Sequence, residues 1–235
     1  LHSIIEAIEA GRDIEKIYLK RDFGGELVKT LFAKIKTYGI PCRKVPVEKL
    51  NSFTEKNHQG AVAFVAEISY SNISDIIPTL YEAGKTPLIV ALDGVTDIRN
   101  FGAISRTCEC AGVDAILLPS YCSATINADA VKTSAGALHY LPVCRTDNLC
   151  QAIKFLKNSG FTIIALSEKA NIAYTDQDYS SPTVLVLGAE DRGISSEVLS
   201  LCDSTVKIPV LGKIESLNVS VAAGIVIYEA VKSRQ

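Results

Sequence analysis

PLIVALDGVTDIRNFGAISRTCECAGVDAILLP, residues 87–119, decides the fold of this chain. Its first run, LIVALD (88–93), is apolar on both alternating faces, as in a parallel sheet covered on both sides. Gly94 and a polar turn follow. Then Ala103, Ile104, Thr107, Cys108 and Ala111 recur at helical spacing and form a stripe that leaves Arg106 outside it. The helix is expected to begin near Asn100, a good N-cap residue. A second apolar run, AILLP (115–119), closes a strand, loop, helix, strand unit.

The same unit repeats outward from there. Further strands are expected at LPVCR (141–145), FTIIAL (161–166), TVLVLG (183–188) and STVKIPV (204–210), with helical stretches between most of them. Residues 87–235 therefore read as an α/β layer structure with a mainly parallel sheet. In such sheets ligands bind outside the carboxyl ends of the strands, which directs attention to the segments that follow the strands.

After TVLVLG comes AEDRGIS. Gly188 would let a ligand lie against bare backbone, Glu190 sits in the turn, and Gly193 closes it. The G-x-E-x-x-G spacing is not a dinucleotide fingerprint. After STVKIPV comes LGKIESLNVSVAAGIVIYEAVKSR, where Val219, Ala222, Ala223, Val226 and Ala230 share one helix face. Ser216 reads as the N-cap of that helix. Asn218 and Ser220 are harder to place, because such residues compete with helical backbone bonding.

Towards the amino terminus, residues 1–70 read as a small α/β unit. IEAIEAG is a short helix ended by Gly11, IEKIYLK a strand, Glu26 to Tyr38 a helix, and QGAVAFVAEI a buried strand. SYSNISDIIPTLYEAGKTP (69–87) is more polar and carries two prolines and a glycine, and residues 71–86 within it are expected to be a linker.

Bulk properties narrow the field further. Almost half of the 235 residues are hydrophobic and about a fifth are charged, as in an ordinary globular protein. No apolar run approaches the roughly 18 to 20 residues of a membrane span, and the first residues have no signal-peptide pattern. Three scattered histidines, and seven cysteines without a C-x-x-C pair, argue against a zinc site and suggest a reducing cytoplasm. There is no methionine at all. Net charge is −2, yet from Lys16 to Lys49 nine bases face only three acids. That segment suits a polyanion, although from charge alone a solvated helix face and a loop is the favoured reading.

Taken together, NFGAISR, LVLGAEDRG and IPVLGKIESLNVSVAAG, in that order, resemble the three motifs of the SpoU/TrmH family of RNA ribose 2′-O-methyltransferases. NADAVKTSAGALHYLPVCR and NHQG add to the likeness, which covers essentially the whole chain. The group it most resembles methylates a guanosine of bacterial 23S rRNA. The resemblance implies a SPOUT α/β domain with a trefoil knot, preceded by an L30e-like RNA-binding domain. It implies S-adenosylmethionine as cofactor, held at Gly188, Ile208 and Leu217, and a homodimer whose subunits share the site. It implies Arg106 as base or orienting residue, with Asn100, Glu190, Ser216 and Asn218 around it and no metal. It also turns Lys16, Lys20, Arg21, Arg43 and Lys44 into candidate RNA contacts. A tRNA target, and an RNA-binding protein of this fold that has lost catalysis, are the alternatives.

Overall fold

The computed structural model describes residues 1–214 and 216–234, which fall into two compact units. The first comprises Leu1–Ser69 with Thr125–Asn127. It holds α1 (His2–Glu9), β1 (Ile14–Lys20), α2 (Glu26–Thr37), β2 (Cys42–Val45), α3 (Val47–Asn51) and β3 (Ala61–Val65). β1 is central, parallel to β2 and antiparallel to β3. Alternation along β1 decides its packing: Ile17 and Leu19 are fully buried with Ile5, Leu31 and Ile35 of α1 and α2. Tyr18 and the lysines at 16 and 20 take the other face.

The second unit, Tyr70–Ala124 with Ala128–Gln235, opens with α4 (Ile73–Glu82). The stretch 71–86 thus contains ten helical residues rather than only a linker. Asn72 caps this helix by accepting from the Ser74 N–H at 3.2 Å, and Ile73 and Ile77 enter the core one turn apart. Pro78 lies in the sixth position, where it costs one backbone bond without ending the helix.

From there the order is β4 (Leu88–Asp93), α5 (Ile98–Cys110), β5 (Ala115–Pro119), α6 (Ala128–Thr133), β6 (Val143–Thr146), α7 (Leu149–Asn158), β7 (Thr162–Leu166), β8 (Ile172–Ala173), β9 (Thr183–Gly188), α8 (Ser196–Leu199), β10 (Ser204–Lys207) and α9 (Val219–Lys232). The seven strands lie in the order β6-β5-β4-β9-β7-β10-β8, with every pairing parallel. Ile73, Ile77, Ile153, Leu156 and Val198 carry α4, α7 and α8 into one core against Ile89, Leu117, Ile163 and Val186. α9 packs along α5, and its Ala223, Val226, Ile227 and Ala230 are buried.

This order positions the site. From β4 the chain crosses to β5 on one side, whereas from β9 it continues to β10 on the other. β4 and β9 are nonetheless neighbours in register, with Asp93 opposite Gly188 at their carboxyl ends. Connections that diverge from adjacent parallel strands leave a crevice between them, the switch point where α/β sheets bind ligands.

Candidate active site

Three segments meet at that crevice: the β4–α5 turn, the β9–α8 loop, and the run from β10 into α9. The β9–α8 loop is the tightest. Ala189 and Gly193 exchange backbone bonds of 3.1 and 2.9 Å, so Glu190, Asp191 and Arg192 form a closed tip. Gly193 turns it at φ 68°. A Cβ on Gly188 would lie 2.2 Å from the Gly193 carbonyl carbon, so only glycine fits between strand end and loop. Asp93 fastens the far side: one carboxylate oxygen accepts from the Ser195 N–H at 2.7 Å and the Ser195 hydroxyl at 2.6 Å.

Both helix starts differ from their sequence-based expectation. α5 begins at Ile98, and its cap is Asp97, which accepts from the Asn100 N–H at 2.9 Å. Asp and Asn cap about equally well, and the first of the two in the chain takes the position. Asn100 therefore lies in the first turn with its amide free for other partners. Likewise α9 begins at Val219 with Asn218, not Ser216, as cap. Asn218 Oδ1 accepts from the Ser220 N–H at 2.9 Å and from the Ser220 hydroxyl at 2.6 Å. Its Nδ2 donates to Asn100 Oδ1 at 3.0 Å and to Glu190 Oε1 at 2.7 Å. Asn218 thus uses its oxygen to start a helix and its nitrogen to tie the other two segments together. Ser220 has a place as well, orienting that amide.

Beside this junction runs a cleft of about 500 Å³. Gly188, Ile208 and Leu217 line it together with Glu190, Ser216 and Asn218. Ile208 and Val210 reach it because β10 ends at Lys207, three residues before the expected end, and the chain turns towards the cleft. Pro209, which has no N–H to give a ladder, lies at that departure. Asn100 lines an adjoining recess of about 200 Å³ with Gly94, Asp97, Glu190 and Val219. Arg106 is exposed and is not among the residues lining either. Arg192, Asp93, Asp97 and Ser195 are the residues that sequence reasoning missed. Asp97 had a local signal, as a capping residue three before Asn100; the Asp93–Ser195 pairing spans 102 positions and had none.

In the first unit, pleating sorts the five basic candidates. Tyr18 pairs with Arg43 and Leu19 with Lys44, so Lys16, Lys20 and Arg43 share one face while Lys44 lies on the other, over Phe32 at 5.5 Å. Arg21 follows β1 and is exposed.

Comparison with known proteins gives consistent results for both units. Residues 87–228 match the family described as SpoU rRNA Methylase, and residues 1–71 match RNA 2′-O ribose methyltransferase substrate binding. A Staphylococcus epidermidis protein assigned to the TrmH family of tRNA/rRNA methyltransferases is 32% identical over 99% of this chain and 94% of its own. The AdoMet-bound rRNA methyltransferase from Sinorhizobium meliloti is similar in structure, with a TM-score of 0.64 and 27% identity over 99% of this chain and 85% of that one. The A. aeolicus TrmH/SpoU tRNA modifying enzyme, 35% identical, gives 0.58 over 68% and 83%. With its three ordered segments converging on one crevice and both units matched, this chain belongs to the SpoU rRNA methylase family of RNA methyltransferases.

Proposed function

We propose that this protein moves a methyl group from S-adenosylmethionine to a ribose 2′-hydroxyl in structured RNA, with a guanosine of 23S rRNA as its target. The observation that carries the reading is the Asn100–Asn218–Glu190 junction, which holds three segments far apart in sequence around one cleft. The cleft suits the cofactor: its volume falls within the few hundred to 1,000 Å³ of small-molecule sites. Its lining pairs bare backbone at Gly188 with apolar walls from Ile208 and Leu217, and sets three carboxylates, Glu168, Glu190 and Asp191, against Lys169 and Arg192, a balance that favours a cationic ligand. Bound there, S-adenosylmethionine supplies an electrophilic methyl group.

The chain's own residues have the task of placing a hydroxyl next to that methyl. Asn218 fixes Asn100 and Glu190, and Ser216 borders the same cleft. The planar guanidinium fork of Arg106 suits bidentate contact with a phosphate better than proton abstraction. Its position outside the lining fits a role met from the RNA side. The reading includes a second copy of the chain. α9 leaves Val221 and Tyr228 exposed, and the preceding loop leaves Leu211 98% and Ile214 75% exposed, an apolar face that a homodimer would cover while completing the site. In this reading the run from β10 through the cleft into α9 is threaded as a trefoil knot. The seven free cysteines fit a reducing cytoplasm.

Mapping ribose methylation in total RNA with and without the gene tests the assignment. Loss of one 23S rRNA methyl group is expected. Loss confined to tRNA would overturn the substrate, and unchanged RNA with intact S-adenosylmethionine binding would favour a catalytically silent RNA-binding protein.

A further inference from the structure

The first unit carries an aromatic cluster that no step above uses. Tyr18 of β1, Phe64 of β3 and Phe53 after α3 meet on the sheet face opposite the α1–α2 core. The Tyr18 and Phe53 centroids are 4.7 Å apart with planes tilted by 39°. Phe64 stands edge-on to both, at 5.9 and 5.3 Å. All three rings are partly exposed. Cations surround them: Lys16 Nζ lies 5.6 Å from the Tyr18 ring centre and Lys49 Nζ 5.0 Å from that of Phe53. Arg43 sits opposite Tyr18 in the β1–β2 register. Among the described residues none of these three cations forms an ion pair.

Phenylalanine and tyrosine can pack as a minor core, but such a core is ordinarily closed by aliphatic residues, not ringed by unpaired cations. We infer that this face is a stacking platform for unpaired RNA, with Tyr18 and Phe53 receiving nucleobases and Lys16, Arg43 and Lys49 taking the flanking phosphates. The identity of the polymer rests on the RNA-methyltransferase reading. The preference for unpaired strands rests on the rings alone: an A-form duplex hides its base faces, whereas splayed loop nucleotides offer them to aromatic side chains. The lysines are held over the rings only by weak exposed cation–π contacts, so an arriving base displaces them at little cost towards phosphate. The methyltransferase would then grip a loop near its target through this unit while the second unit carries out the chemistry.

A single-stranded RNA octamer with a central 2-aminopurine, titrated with the full chain, tests this. Binding with fluorescence quenching is expected, and a duplex of the same length should bind without it. Tyr18→Leu with Phe64→Leu keeps apolar volume and removes two rings; affinity for the octamer should fall about tenfold or more. Should that variant fail to fold, Lys16→Ala with Arg43→Ala decides: the slope of log affinity against log salt should shrink by about 1.4, at about 0.7 per phosphate contact on a single strand. Absence of quenching, or affinity and salt slope unmoved by these substitutions, overturns the inference. Methyl transfer to rRNA, measured in parallel, keeps the two readings apart. Transfer without quenching sinks only the platform, and quenching without transfer to any RNA sinks only the methyltransferase assignment.

Discussion

Replacing Asn218 by Asp separates the two roles the structure gives this side chain. The capping oxygen is kept, since Asp caps about as well as Asn, and Ser220 can still donate to it. The nitrogen that donates to Asn100 and Glu190 becomes an acceptor. One ordinary hydrogen bond, about 1 kcal/mol, and one to a carboxylate, about 1.5 to 3 kcal/mol, disappear. Two carboxylates then face each other where 2.7 Å now separates Asn218 Nδ2 from Glu190 Oε1. At that distance the repulsion in water is about 1.5 kcal/mol. Both side chains are exposed, so salt screening and outward swinging of the 189–193 loop relieve part of it. A net loss of about 2 to 3 kcal/mol from the closed site remains. It should appear as about a 30- to 150-fold weaker S-adenosylmethionine affinity in isothermal titration. The urea midpoint should move little, because the α9 cap survives and the loop opens locally. Adding Glu190→Gln restores one donor and one acceptor with the direction reversed, and should recover most of the affinity. Affinity of the single variant within threefold of the unaltered protein would refute the idea that Asn218 holds the three segments together.

Other perturbations follow from single contacts. Gly188→Ala forces a Cβ to 2.2 Å from the Gly193 carbonyl carbon; S-adenosylmethionine binding should vanish in titration, with a lower urea midpoint at unchanged slope. Arg106→Lys removes the two-pronged donor but keeps the charge; kcat should fall steeply with the shape of the pH–rate profile unchanged, while a new limb at the lysine's own titration would assign Arg106 as base. Arg234 donates to the carbonyls of Tyr179, Thr86 and Ser181 at 2.9, 2.7 and 2.8 Å. Lysine cannot reproduce that fork, and Arg234→Lys should cost about 2 kcal/mol in denaturant titration. Among the cysteines, Cys110 and Cys122 are exposed, whereas Cys108 and Cys144 are buried. Burial pushes the Cys144 thiol up to about 12, so at pH 8 it holds almost no thiolate. Ellman's reagent should label Cys110 and Cys122 in the folded protein and reach Cys108 and Cys144 only on unfolding.

The strands were legible because a parallel sheet covered on both faces needs continuous apolar runs, and LIVALD and TVLVLG match β4 and β9 to the residue. α4 was obscured by Pro78 and Gly84, which read as loop punctuation. Its signal was the Asn72 cap followed by apolar Ile73, Ile77 and Leu80 one turn apart. The caps were misplaced for a different reason. Asp97 competes with Asn100, and Asn218 with Ser216, on nearly equal intrinsic terms, and the winner depends on where the neighbouring strand delivers the chain. Nothing local could reveal that Asn218 meets Asn100 across 118 positions. Family resemblance marked these residues as a set, but only the geometry assigns Asn218 the central place among them.

That placement explains the mixed pattern of SLNVSVAAG. Ser216, Asn218 and Ser220 alternate with Leu217, Val219 and Val221, which alone would suit a half-exposed strand, yet the run leads into a helix that begins on the rim of a ligand cleft. α5 and α9 both start there, and one N–H at each start is taken up internally, that of Asn100 by Asp97 and that of Ser220 by Asn218. Uncapped, two positive helix ends so close to the cleft would favour an anionic ligand. Capped, they leave the field to the side chains that line it, Glu168, Glu190 and Asp191 against Lys169 and Arg192, a balance that suits a cation such as a sulfonium. The polar residues that look surplus for folding thus contribute to the sign of the site: Asn218 takes up an N–H at the start of its own helix and, through the same amide, holds Glu190, one of the cleft's carboxylates.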